Sequence, residues 1–220
     1  MKRIVESELM EESTQAKAYS EADFEQGHSK IIQLLDEVFG VIDISGDILD
    51  LGCGSGDVTF RIAHRFPKAK ITAVDGAQAM LDFAEERKMR ETDVSERVNF
   101  VQAMIPGSHI PKKAYDLIIS TSFLHHLHQP DALWQTIKEH SRTDTKIFIA
   151  DLVRPENKNT ANGIVKEFAK NEPEVLKEDY YNSLLAAFTP DEVKDQLEKA
   201  NLNQLSVYVD GYLIVHGEIE

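Results

Sequence analysis

Short, nearly unbroken apolar runs recur along the chain at Ile48 to Leu51, Lys70 to Asp75, Val98 to Val101, Tyr115 to Ser120 and Lys146 to Asp151. Their length and β-branched content predict buried strands. Between them the apolar positions change to helical spacing. His28 to Phe39 carries Ile31, Ile32, Leu34, Leu35, Val38 and Phe39, with Gly40 as a stop, and Val58, Ile62, Ala63 and Phe66 repeat the pattern. So do Met80, Leu81 and Ala84 within 77–90, and Leu133, Trp134 and Ile137 within 131–141. Strands alternating with helices at this pitch predict a parallel sheet covered on both faces. Thr189-Pro190-Asp191-Glu192 predicts a helix start: the threonine caps, the proline suits the first helical position, and the glutamate closes a capping box. Leu205 to Val209 and Tyr212 to His216 flank Asp210-Gly211, which predicts a terminal hairpin and an antiparallel last strand.

Two stretches break the alternation. Residues 156–188, with Ile164, Val165, Phe168, Leu184, Leu185 and Phe188, are too long for a connection and predict a helical insertion. Residues 1–27 are polar and acidic, with Leu9, Met10, Tyr19 and Phe24 scattered among them. Both a solvated arm and an ordered cap fit that leader, and the aromatic residues favour the cap. The expected organisation is one domain over 1–220, with an N-terminal helical cap over 1–40 and a helical lid over 156–188.

Composition narrows the function classes. A chain of 220 residues with 42% apolar content buries one good core. The formal charge of −14 disfavours nucleic acid and anionic membranes, which need clustered Lys and Arg. A single cysteine, Cys53, rules out a disulfide framework and, without a Cys or His cluster at zinc spacing, disfavours structural zinc. The first residues lack the apolar core of a signal peptide, and no later run is long enough to span a bilayer, so a cytoplasmic monomer or homodimer is expected.

The run ending at Asp50-Leu51 meets Gly52, Gly54 and Gly56 in alternation. Glycine serves where the backbone takes positive φ and where a ligand must touch the main chain, so this turn holds something against a helix start. The dinucleotide fingerprint G-x-G-x-x-G would place its third glycine where Asp57 stands, and an acid there is unfavourable beside pyrophosphate. The pattern Asp50-x-Gly52-x-Gly54-x-Gly56, with Asp75 closing the next strand, instead resembles the class I S-adenosylmethionine-dependent methyltransferases.

The resemblance runs from about residue 47 to the C-terminus. It implies an α/β fold: a Rossmann-like, doubly wound, mostly parallel seven-stranded sheet with an antiparallel last strand. It also implies S-adenosyl-L-methionine as cofactor and transfer of its methyl group to a small-molecule acceptor. On this pattern Gly52, Gly54 and the nearby backbone, including Cys53, line the methionine part, while Asp50 helps neutralise the ammonium. Asp75 would accept from both ribose hydroxyls, and Gly76 and Met80 would border the adenine. Gln102, Ala103 and Met104 stand where the family often places an acid, and Ser120 opens the fourth-strand segment Ser-Thr-Ser-Phe-Leu-His-His. Asp50 alone suits a turn cap as well, and Cys53 also suits a small space-filler.

His125 and His126 are candidate general bases for the acceptor, with structural roles an equal alternative. His125, His126 and His128 lie too close on one short loop to converge easily on an ion, and no carboxylate accompanies them locally, so no metal is expected. An acceptor pocket walled by Tyr19, Phe24, His28, Tyr180 and Tyr181, with Asp151 and Arg154 at its floor, is expected under the cap and lid. Glu8-Leu9-Met10, Ala18-Tyr19, Ala22-Asp23-Phe24 and the stretch from Tyr180 to Thr189 resemble a bacterial subgroup of these methyltransferases whose acceptors are unassigned. Two rival classes fit parts of the pattern: a module that binds S-adenosylmethionine without turnover, and a nicotinamide-binding Rossmann protein.

Overall fold

The computed structural model describes residues 1–107 and 109–220. In chain order the elements are α1 (Ser13–Glu21), α2 (Glu25–Phe39), β1 (Asp47–Leu51), α3 (Asp57–Arg65), β2 (Lys70–Asp75), α4 (Gln78–Lys88) and β3 (Val98–Gln102). They continue with β4 (Leu117–Thr121), α5 (Asp131–His140), β5 (Lys146–Asp151), α6 (Lys158–Phe168), α7 (Glu174–Ala186), α8 (Pro190–Ala200), β6 (Ser206–Asp210) and β7 (Tyr212–Glu218). The seven strands form one sheet in the order β3-β2-β1-β4-β5-β7-β6. β7 runs antiparallel to both neighbours, while β1 to β5 pair in parallel. This is the doubly wound, mostly parallel sheet that the alternation predicts, with the antiparallel last strand that the terminal hairpin predicts.

Alternate residues of each strand feed opposite layers. Ile48, Ile71 and Phe148 pack with Ile31, Leu34, Leu35, Ile62 and Phe66 beneath α2 and α3. Leu49, Ile118, Ile149 and Leu213 pack with Leu133, Trp134, Ile137, Val193 and Leu197 beneath α5 and α8. Trp134 joins those two helices, its indole N–H donating to Gln196 Oε1 at 3.0 Å. The capping box at Thr189 and Glu192 forms as expected.

The boundaries differ from expectation where long-range contacts act. α2 begins at Glu25, three residues before the expected His28, because Glu25 binds Arg61 of α3 and Ser29. α1 has no strong apolar stripe; it rests against α4 and α7. The leader before it runs across the carboxyl-end side of the sheet. Ile4 N–H donates to Leu185 O at 3.0 Å, and the Arg3 guanidinium donates to the carbonyls of Ala186, His125 and Leu127. The 156–188 stretch forms α6 and α7, which share a small cluster of Ala161, Val165, Leu184 and Leu185.

Candidate functional site

β1 and β4 are adjacent although their chain order reverses around them, which opens a crevice at their carboxyl ends. The glycine turn fills that point. Gly52, Gly54 and Gly56 have φ of 75°, 53° and 79°, a region that side chains disfavour. A Cβ on Gly52 would lie 2.2 Å from Phe123 Cγ, so that position also needs the missing side chain for space. A cavity of about 370 Å³ lies against the turn, bordered by Gly54, Asp75, Met80, Tyr19, Phe123 and His126.

Three carboxylates surround the turn in different states. Asp75 ends β2 and accepts from Gly54 N–H and Ala77 N–H, both at 2.8 Å, one on each oxygen. Burial raises its pKa against those two hydrogen bonds, and each oxygen keeps a further lone pair for a ligand in the cavity it lines. Asp50 is 1% exposed; Thr59 donates to its Oδ2 at 2.6 Å, and its Oδ1 has no partner. Burial pushes Asp50 up to about 7, the Thr59 bond offsetting part of the rise. Asp57 opens α3. Burial would raise it, but the His28 contact at 2.5 Å and the Arg61 bond at 2.8 Å hold it well below the carboxylate range.

Of the other residues proposed for a cofactor, Gly52, Cys53, Gly76, Ala103 and Met104 border the cavity. Burial raises the Cys53 thiol, in keeping with packing. Ser120 is fully buried and donates to Leu51 O at 2.8 Å, which places it inside the sheet rather than at the cavity. Gln102 lies at the exposed sheet edge, its amide reaching Gly76 O at 3.3 Å.

The acceptor set divides. Tyr19 and His28 border the cavity, and the Phe24 ring sits between them, 4.8 Å from Tyr19 and 5.1 Å from His28. Tyr180 and Tyr181 pack instead on the α6–α7 cluster. Asp151 and Arg154 do not floor the cavity, contrary to expectation. Arg154 is drawn to Glu192 of α8 at 2.6 Å, and Asp151, 2% exposed, accepts from Phe123 N–H, His125 N–H and Leu152 N–H.

His125 and His126 lie on the turn after β4, but only His126 borders the cavity. Burial lowers the His125 pKa, and the Asp151 carboxylate at 2.5 Å more than reverses this. His126 is held down to about 3 by burial and by His125 beside it. The expectation that no carboxylate accompanies these histidines is overturned by the leader. Glu6 Oε1 lies 3.6 Å from His125 Nε2 and 3.3 Å from His126 Nδ1, a pairing across about 120 residues that no local pattern reveals. Glu8, Leu9, Thr121, Ser122, Phe123 and Leu127 also border the cavity, although none of them was expected as a site residue. Ser122 has φ of 49°, a strained backbone at the cavity wall with no glycine to mark it.

Residues 48–144 match the methyltransferase domain family. A malonyl-[acyl-carrier protein] O-methyltransferase of Bacillus cytotoxicus is 37% identical over 75 residues, 34% of this chain and 24% of that enzyme. The chain therefore spans about a quarter of that relative. A putative S-adenosyl-L-methionine-dependent methyltransferase structure from Methanococcus maripaludis superposes with a TM-score of 0.72 at 17% identity, covering 99% of this chain and 98% of that one. An S-adenosylmethionine-dependent methyltransferase from Aquifex aeolicus gives 0.67 at 18% identity, over 93% and 97%. At these identities the two structures establish the fold.

Proposed function

Because the chain carries a methyltransferase domain on the class I S-adenosylmethionine-dependent methyltransferase fold, we propose that it transfers the methyl group of S-adenosylmethionine to a small-molecule acceptor. The observation that carries the reading is Asp75, a carboxylate at a strand end whose oxygens are fixed by two backbone donors and border the cavity beside the glycine turn. The unpartnered Asp50 Oδ1 and the cavity that Gly54 borders also fit a cationic cofactor without phosphate. When bound, this cofactor supplies a methyl group already activated by the sulfonium charge.

The protein's own residues then bind, orient and exclude water. Asp75 would hold the ribose and the backbone from Gly52 to Gly54 the methionine part, with Asp50 behind it as a buried carboxyl group that the cofactor's ammonium would draw into its ionised form. Met80, Gly76, Ala103 and Met104 border the adenine. Tyr19 and His28, backed by the Phe24 ring, form the wall on the acceptor side. His125 is buried off the cavity and turned toward Asp151, and His126, which borders the cavity, is held far below neutral, so neither histidine serves as general base and the acceptor presents its nucleophile without help from them. The domain match, 48–144, includes the turn and Asp75 but neither the leader nor α6 and α7, so the acceptor of the Bacillus relative does not carry over.

Incubating the protein with methyl-labelled cofactor and fractionated cell extract tests the reading. Label is expected in a low-molecular-weight fraction, with S-adenosylhomocysteine released in equal amount. Label in the macromolecular fraction alone would contradict the small-molecule acceptor, and cofactor binding without transfer into any fraction would favour a binding module.

A further inference from the structure

Glu6 is anchored in a way its neighbours do not require. Its Oε2 accepts from the Ser183 hydroxyl of α7 at 3.3 Å, which turns Oε1 inward. There Oε1 is buried without a hydrogen-bond partner, 3.6 Å from His125 Nε2 and 3.3 Å from His126 Nδ1. On its far side His125 is held through Nδ1 by Asp151 at 2.5 Å, so its Nε2 is aimed at Glu6. Ligands placed around a tetrahedral ion at about 2.0–2.1 Å stand about 3.4 Å from one another, which matches these spacings. A carboxylate behind a histidine is the usual means of fixing ring orientation and raising ligand basicity.

We propose that Glu6, His125 and His126 form a site for one divalent transition-metal ion, which fastens the N-terminal leader over the cavity. Two imidazoles and a carboxylate suit an ion of the zinc or cobalt kind. All three ligand atoms lie within 4.8 Å of one another. His126 Nδ1 has one other polar contact, to Ser7 O at a long 3.4 Å, which the ion would replace. Arg3 lies near but is committed elsewhere, donating to the carbonyls of Ala186, His125 and Leu127. Because Glu6 comes from the leader and the histidines from the turn after β4, the ion bridges two segments that meet only in the fold. His126 borders the cavity, so the site adjoins it. The inference does not depend on the methyltransferase reading.

The test is a calorimetric titration of chelator-treated protein with Zn²⁺, together with the visible spectrum of its Co²⁺ form. One ion per chain is expected, with Co²⁺ bands of a nitrogen-ligated, low-coordinate site. Glu6→Gln and His126→Ala should each weaken Zn²⁺ binding about a hundredfold, as removal of a direct ligand costs at least what loss of its supporting partner does. His64, Glu91 and Asp93 form a second, exposed cluster and serve as the control, since His64→Ala should leave the affinity unchanged. Absence of saturable binding, loss of it in His64→Ala, or its survival in both Glu6→Gln and His126→Ala would overturn the proposal. So would a Co²⁺ form with only the weak spectrum of the hydrated ion, which would leave Glu6, His125 and Asp151 as a buried ion-pair cluster.

Discussion

Asp50 is a carboxyl group that the fold holds where it favours its neutral form. Its pKa rises to about 7 through burial, above an unfolded value near 3.9. A raised pKa contributes stability that is fully present below the unfolded value and is lost as pH rises through the folded one. Asp50 therefore weakens the free protein progressively between about pH 4 and pH 7. Asp50→Asn, uncharged throughout, is expected to gain on the parent by roughly 1–3 kcal/mol from pH 5 to pH 8 in urea unfolding. It should at the same time lose affinity for S-adenosylhomocysteine. A gap that is the same at both pH values would show that Asp50 stays charged in the free protein. The glycine turn and the two strand-end acids were legible in the sequence because their geometry is local: a positive φ leaves its mark as a glycine. Ser122, with φ of 49°, carries no such mark, and Glu6 became a partner of His125 only through folding.

At the scale of elements, the strands and the helices against them were legible because each buries a periodic apolar face. α1 was not, since its stripe is weak and its position comes from α4 and α7. The same holds for Asp151 and Arg154, whose sequence position at the end of β5 suggested a pocket floor but whose partners, His125 and Glu192, lie 26 and 38 residues away. The leader is held by few groups, and Arg3 is foremost among them, with three carbonyl partners and its guanidinium 4.0 Å over the Phe188 ring. Arg3→Ala is expected to cost about 2 kcal/mol, since hydrogen bonds to charged groups carry roughly 1.5–3 kcal/mol each. Hydrogen exchange should show where the cost falls: the Ile4 amide, which donates to Leu185 O, should lose protection while those of β1 and β4 keep theirs. Uniform loss across the sheet would mean that the leader is part of the global folding unit.

At the scale of the molecule, a parallel sheet with a reversal between β1 and β4 puts one crevice at the strand ends, and the glycine turn, Asp75 and the leader all converge on it. The net charge of −14 suits this arrangement, because a cationic cofactor approaches a negative surface favourably. Thermal unfolding of the parent and of Asp75→Ala, with and without S-adenosylhomocysteine, tests the central claim most directly. At a hundred times the dissociation constant, binding adds about 2.7 kcal/mol, which for a chain of this size raises the parent's Tm by roughly 5–10 °C. Asp75→Ala should fold and show no such shift. An unchanged parent Tm at saturating ligand, a shift with NAD in its place, or an undiminished shift in Asp75→Ala would contradict the account.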